Sequence, residues 1–294
     1  MPQIEANGLT LHYEVSGAAD APPVLLIMGL GGQLISWPQA FCDVLLAAGY
    51  CVIRFDNRDI GLSTRLKALG KPDLLRAGIA STLRLPVRAP YRLDDMATDT
   101  WALLDALDIE SAHLVGVSMG GMIAQLMAIG RPQRVRSLSL LMTHSGNPRL
   151  PGARWPIRLR MVRRPHLRVR EDIIRYSTQT LRLIGSPGYP FEADALWTQV
   201  AAQYDRSHHP AGVIRQTAAI LAAPSRSKAL KRLRLPTLIL HGREDPLIPV
   251  AAARELKQLM PHARLEIIDG MGHDLPPGLA ERLGRSVAAG LDAA

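Results

Sequence analysis

The chain is poor in the residues that staple secreted folds or hold metals. It has two cysteines in 294 residues. Cys42 falls in an apolar helical pattern and Cys51 opens an apolar strand pattern, so both read as buried, reduced thiols rather than a disulfide. There is no His-Glu-x-x-His, no Cys-x-x-Cys and no phosphate loop ending in Gly-Lys-Ser or Gly-Lys-Thr. The reading therefore includes no cofactor, metal or nucleotide. No run of eighteen apolar residues occurs, and Met1-Pro2-Gln3-Ile4-Glu5 is not a basic segment leading into an apolar one. The expectation is a cytoplasmic protein with no stable membrane insertion.

Hydrophobic residues make up 47% and charged residues 21% of the chain, a balance that supports a substantial core. The net charge of +9 first suggests nucleic acid or an anionic surface. Its distribution argues otherwise. Nine arginines lie between Arg149 and Arg175 against Glu171 and Asp172, with no lysine and little aromatic interleaving. Without a helix-turn-helix, zinc or RNA-binding signature, this run reads as a solvated surface, and no nucleic-acid partner is expected. A homodimer is left open.

Asn7-Gly8 between alternating segments predicts a hairpin with a type I′ turn. Short apolar strands at Val24–Met28, Tyr50–Phe55, His113–Val117 and Val135–Met142 then alternate with helical patterns at Pro38–Ala48, Leu93–Leu107 and Met119–Ile129. This order predicts an α/β fold with a mostly parallel sheet, eight-stranded in all and covered by helices on both faces. The alternation stops after residue 144 and resumes with strands at Thr237–His241 and Leu265–Ile268. Residues 1–144 and 233–294 are accordingly expected to form the core, and 145–232 an inserted helical cap. A smaller insertion, Arg65–Ala89, carries Leu74, Leu75, Ile79, Leu83 and Leu85 among basic residues; packing is preferred over membrane contact for it.

Gly116-Val117-Ser118-Met119-Gly120 lies between a strand and a helix, the setting in which a strained turn lifts a serine hydroxyl above the sheet edge. Ser118 is the expected nucleophile. A serine hydroxyl needs a base to take its proton, and the order serine, acid, histidine along the chain selects His273 after the last strand. His144 is the rival and a candidate for lining the pocket; His113 and His241 read as structural, and His208-His209 as cap residues. Asp245, just after the strand Thr237–Leu240, is the expected acid orienting the histidine, with Glu244 its nearest competitor and Asp269 a weaker one. Backbone NH groups of Met119 and, from the Gly29-Leu30-Gly31-Gly32 turn, Leu30 are the expected oxyanion donors. Gly29 is placed with the substrate-binding residues.

Together with Arg54-Phe55-Asp56-Asn57-Arg58-Asp59-Ile60-Gly61-Leu62-Ser63, these motifs resemble bacterial α/β-hydrolases similar to aclacinomycin methylesterase and related esterases. The resemblance covers nearly the whole chain except the two insertions. It implies the α/β-hydrolase fold, a cofactor-free hydrolase, and a triad matching Ser118, Asp245 and His273. Met28-Gly29 stands where many relatives have His-Gly. The resulting expectation is a serine esterase acting on a small-molecule ester. The same triad also serves thioester, lactone or C–C cleavage and perhydrolysis, while serine at 118 argues against epoxide hydrolase and dehalogenase chemistry. A ligand-binding protein that keeps the fold is the alternative of another class, and a peripheral membrane lipase a third.

Overall fold

The computed structural model describes residues 2–162 and 167–291. One eight-stranded sheet organises it: β1 (Gln3–Ala6), β2 (Leu9–Ser16), β3 (Pro23–Ile27), β4 (Cys51–Phe55), β5 (Ala112–Val117), β6 (Val135–Leu141), β7 (Thr237–Gly242) and β8 (Arg264–Ile268), in the spatial order 1-2-4-3-5-6-7-8. β1 and β2 pair antiparallel, β2 runs antiparallel to β4, and all later neighbours are parallel. The first turn carries Asn7 at φ 52° and Gly8 at φ 72°, the two positive values that a type I′ turn requires.

Period-2 alternation explains why the sheet has a core on each face. In β3, Leu25 and Ile27 join one cluster, with residues of α3 (Leu93–Ala106), α4 (Met119–Gly130) and α10 (Ala251–Leu259). Val24 and Leu26 face the other, with Phe41 and Leu45 of α1 (Gln39–Ala47) and Leu283 and Val287 of α11 (Pro277–Leu291). β7 divides likewise, Ile239 to the first cluster and Leu238 and Leu240 to the second. Because the crossovers are parallel, the loops after β3, β4, β5, β6, β7 and β8 all emerge at one sheet edge, where open α/β folds place ligands.

Between β6 and β7 lie α5 (Trp155–Val162), α6 (Arg170–Ile184), α7 (Ala193–Arg206), α8 (Pro210–Ala222) and α9 (Ser227–Leu230). α6 and α7 share a small apolar cluster of Ile174, Leu196 and Val200, whereas Ala219 of α8 and Leu230 of α9 join the first core cluster. Of the arginine run, Arg163 and Arg164 lie outside the described residues. Arg170 grips Asp205, Arg175 pairs with Asp172, and Arg160 lies over the Tyr176 ring at 4.1 Å.

The smaller insertion packs on the body of the protein as expected, but through only part of its apolar set. The 65–89 segment forms α2 (Leu74–Thr82), which packs on α8 and buries Ala77, yet Leu75, Ile79, Leu83 and Leu85 stand in solvent. The face that turns inward carries Leu74, Ala77 and Gly78, so Leu74 takes part in the packing while Leu75, Ile79, Leu83 and Leu85 do not.

Cys42 and Cys51 are buried and free, and burial pushes the Cys42 thiol up to about 11. Among the described residues no helix is long and apolar enough to cross a membrane.

Candidate active site

Ser118 sits between β5 and α4 at φ 54°, ψ −115°, in the left-handed region that costs a non-glycine residue on the order of 1–3 kcal/mol. The turn is closed by bare backbone. A Cβ on Gly120 would stand 2.0 Å from the Ile27 carbonyl oxygen, and one on Gly116 would stand 2.4 Å from that of Gly120. Only glycine at these two positions lets α4 start directly against β3 and β5. Met119 is the first residue of α4, so its NH has no acceptor within the helix. Gly29 packs against the nucleophile position, its Cβ site 3.2 Å from the Ser118 Cβ. In the same turn the Gly31 NH donates to Gln216 Oε1 (3.0 Å) and the Gly32 NH to the Gly29 carbonyl (3.1 Å).

His273 Nε2 stands 3.0 Å from Ser118 Oγ, and its Nδ1 stands 2.6 Å from Asp245 Oδ2. An ionised carboxylate only accepts, so Nδ1 carries the proton and Nε2 is left to accept from the serine hydroxyl. The other oxygen of Asp245 accepts from the Leu247 and Ile248 NH groups at 2.9 and 2.8 Å. Burial opposes charge on Asp245, but the His273 and His241 imidazoles beside it outweigh that and hold the carboxyl well below the usual range. The three side chains singled out from sequence are thus brought into one hydrogen-bonded line.

The competitors are placed elsewhere. Glu244 accepts from the Gly270 NH at 2.7 Å, and Asp269 pairs with Arg243 at the surface. His113 donates to or accepts from Ser137 Oγ at 2.7 Å and meets the Tyr50 ring edge-on. His209 reaches Arg215 (3.1 Å), and His208 lies against the Tyr204 ring. His144 is half-buried, its Nδ1 accepts from the Gly146 NH at 2.9 Å, and burial, Arg226, His273 and His241 push its imidazole down to about 4. It is therefore a neutral imidazole whose Nε2 carries the proton.

Comparison with known proteins places the chain in a family. Residues 22–276 match the family model described as alpha/beta hydrolase fold. The chain belongs to the α/β-hydrolase fold family. It is 30% identical to rhodomycin D methylesterase DauP of Streptomyces sp. (strain C5), over 97% of this chain and 96% of that one. It is 27% identical to 3-oxoadipate enol-lactonase 2 of Acinetobacter baylyi, over 90% of this chain and 87% of that one. Among solved structures, the meta-cleavage product hydrolase of Pseudomonas fluorescens IP01 superposes with a TM-score of 0.76 at 21% identity, covering 100% of this chain and 98% of that one; at that identity it speaks to fold alone.

This α/β-hydrolase also contains contacts that sequence reasoning missed. His241 Nε2 donates to the Ile248 carbonyl at 2.7 Å and lies 3.4 Å from Asp245 Oδ2, so the strand-end histidine braces the acid loop. Asp56 accepts from the Leu34 and Leu62 NH groups and pairs with Arg206 of α7 at 2.8 Å. Asp59 is held bidentately by Arg215 of α8 at 2.8 and 2.6 Å. The His273 NH donates to the Ile184 carbonyl (2.7 Å), and the Gly272 NH to Ser186 Oγ (2.9 Å). The quoted Arg54–Ser63 motif signalled the Asp56 and Asp59 ends of these links; nothing local signalled the arginine ends. A cleft of about 530 Å³ opens between Trp37, Pro38 and Leu275 of the core and Phe191 and Gln199 of the insertion, and the Ser118–His273–Asp245 line does not border it.

Proposed function

We propose that this chain is a serine esterase that cleaves a carboxylic ester of a small molecule through an acyl-Ser118 intermediate. The observation that carries the reading is the unbroken line from Ser118 Oγ to His273 Nε2 and from His273 Nδ1 to Asp245. In this mechanism His273 takes the hydroxyl proton as Ser118 Oγ attacks the ester carbonyl, and Asp245 stabilises the imidazolium formed. The Met119 and Leu30 NH groups receive the oxyanion, with Gly29 giving the acyl carbon room to approach Ser118. His273 then protonates the leaving alkoxide, and the same imidazole activates the water that releases the acid.

The relatives whose printed names describe methylester and enol-lactone cleavage support ester substrates over thioester, C–C or peracid chemistry. The 145–232 insertion would serve as the cap that closes over the substrate, with His144 at its edge offering an Nε2–H donor. The test is hydrolysis of p-nitrophenyl esters from acetate to palmitate by the wild type and Ser118→Ala, with a fluorophosphonate labelling lane. Turnover and labelling that both vanish in the variant are expected. Labelling without turnover on any ester would overturn the ester assignment while keeping the nucleophile, and neither labelling nor turnover would leave a ligand-binding protein.

A further inference from the structure

We propose that α2 and the turns flanking it form a docking surface for an anionic lipid bilayer, which the protein contacts from one side without crossing. The argument begins with the helix's orientation. Leu75, Ile79 and Leu83 recur every four residues and so form one stripe. That stripe points away from the protein, with exposures of 65%, 53% and 63%. Leu69, in the turn before the helix, and Leu85, just after it, are exposed as well. A helix on a globular protein normally turns such a stripe to the core, and a contiguous aliphatic patch left outside marks an interaction surface. Here the opposite face, through Ala77, is the one that meets α8.

Charge decides the occupant. Lys67, Lys71, Arg76, Arg84 and Arg88 are all exposed in the same segment as the stripe, and the segment's acidic residue, Asp73, is spent capping α2 and pairing with Arg76. Aliphatic side chains accompanied by cations match the interface of a bilayer bearing anionic headgroups, the aliphatic groups entering the acyl boundary and the cations meeting phosphate. A second copy is disfavoured because a two-fold contact through this patch sets its five cations against the same five on a chain of net charge +9. Nucleic acid is disfavoured because the stripe offers no aromatic face on which a base could stack.

The test is co-sedimentation with vesicles of phosphatidylcholine alone and of phosphatidylcholine with phosphatidylglycerol at three to one, across a salt series. Binding to the anionic vesicles, weakened by salt and lowered at least about tenfold in the triple variant Leu75→Gln, Ile79→Gln, Leu83→Gln, is expected. Arg76→Gln with Arg84→Gln and Arg88→Gln should weaken it as well. Thermal unfolding of both variants should match the wild type, since every substituted side chain is exposed. The proposal is overturned if the wild type ignores anionic vesicles at low salt. Equal binding by the glutamine triple variant, which would assign the attraction to overall charge, overturns it too, as does sedimentation velocity showing a wild-type dimer that this variant loses. None of these readouts depends on esterase activity.

Discussion

Replacing Gln216 by leucine separates the scaffold's stability from the placement of the Gly29–Gly32 loop proposed to hold the oxyanion. Gln216 is fully buried on α8; its Oε1 accepts from the Gly31 NH and its Nε2 donates to the Arg58 carbonyl, each at 3.0 Å. Leucine fills the space but leaves a donor and an acceptor unpaired, at about 1–3 kcal/mol each when buried. Gly31 is only half-buried and water relieves part of its share, so about 3 kcal/mol is expected overall. At about 2.1 cal/mol/K per residue a chain of this length has an unfolding entropy of ~0.6 kcal/mol/K, which converts the loss to roughly 5 °C in Tm. The kinetic effect has another origin. Leu30, the proposed donor, immediately precedes Gly31, and losing one oxyanion donor outright costs about 10²–10³ in kcat. Loosening it should cost about ten- to a hundredfold, with KM within about threefold because the ground-state ester does not need that donor. Leu283→Ala, in the buried core beneath α11, is the control: it should lower Tm by a similar or larger amount with kcat retained. If, at a temperature below both transitions, Gln216→Leu loses no more kcat than Leu283→Ala, Gln216 is a packing residue and the positioning argument is refuted.

Asp245→Asn should lower kcat by on the order of 10⁴-fold while far-ultraviolet circular dichroism is unchanged, because an amide cannot hold His273 in the required tautomer; retention of more than about a tenth of the activity would remove Asp245 from the triad. Arg215→Met should cost about 3–5 kcal/mol in denaturant unfolding, since it strands the Asp59 charge in the interior, and adding Asp59→Asn, which removes the charge, tolerates the positive φ and still accepts from the Leu66 NH, should recover much of that loss. His144 contributes to acid sensitivity. With its pKa depressed from 6.5 to about 4, the unfolded chain takes the proton first, so stability is intact above pH 6.5 and lost as pH falls toward 4, on the order of 3 kcal/mol in all. His144→Gln should flatten Tm against pH across that window, and an NMR titration midpoint for His144 near 6.5 would contradict the assignment.

The legible parts of this protein are those whose physical demand is local. The turn around Ser118 must exclude side chains at Gly116 and Gly120 because backbone passes within 2.4 Å of where their Cβ atoms would be, and that demand is written in five consecutive residues. Asp245 and His273 lie just past the ends of β7 and β8, so finding the strands by their apolar runs also found the loops that carry them. Leu75, Ile79 and Leu83 show the opposite case. Their spacing states that they share a helix face, but which way that face turns is decided by what α8 offers α2, and the sequence pattern carries no record of it. The arginines of the insertion were illegible for a related reason. Arg206 and Arg215 look like solvated cations among many, and only the fold reveals Asp56 and Asp59 waiting at the ends of connections spanning about 150 residues.

Those long connections change what the insertion is for. α7 and α8 hold the loops after β3 and β4 through Arg206, Arg215 and Gln216, and the end of α6 and the turn after it hold the His273 loop through the Ile184 carbonyl and Ser186. One segment therefore grips the Gly29–Gly32 turn on one side of Ser118 and the His273 loop on the other, and it does so with hydrogen bonds to backbone as well as with buried ion pairs. If this segment is the proposed cap, it also sets the distances on which the proposed chemistry depends, because the loops around Ser118 and His273 contribute the donors and acceptors it uses. Selectivity and rate are then coupled through this segment: substitutions facing the substrate that shift α8 should alter kcat as well as KM, whereas those confined to the exposed face of α6 should alter neither.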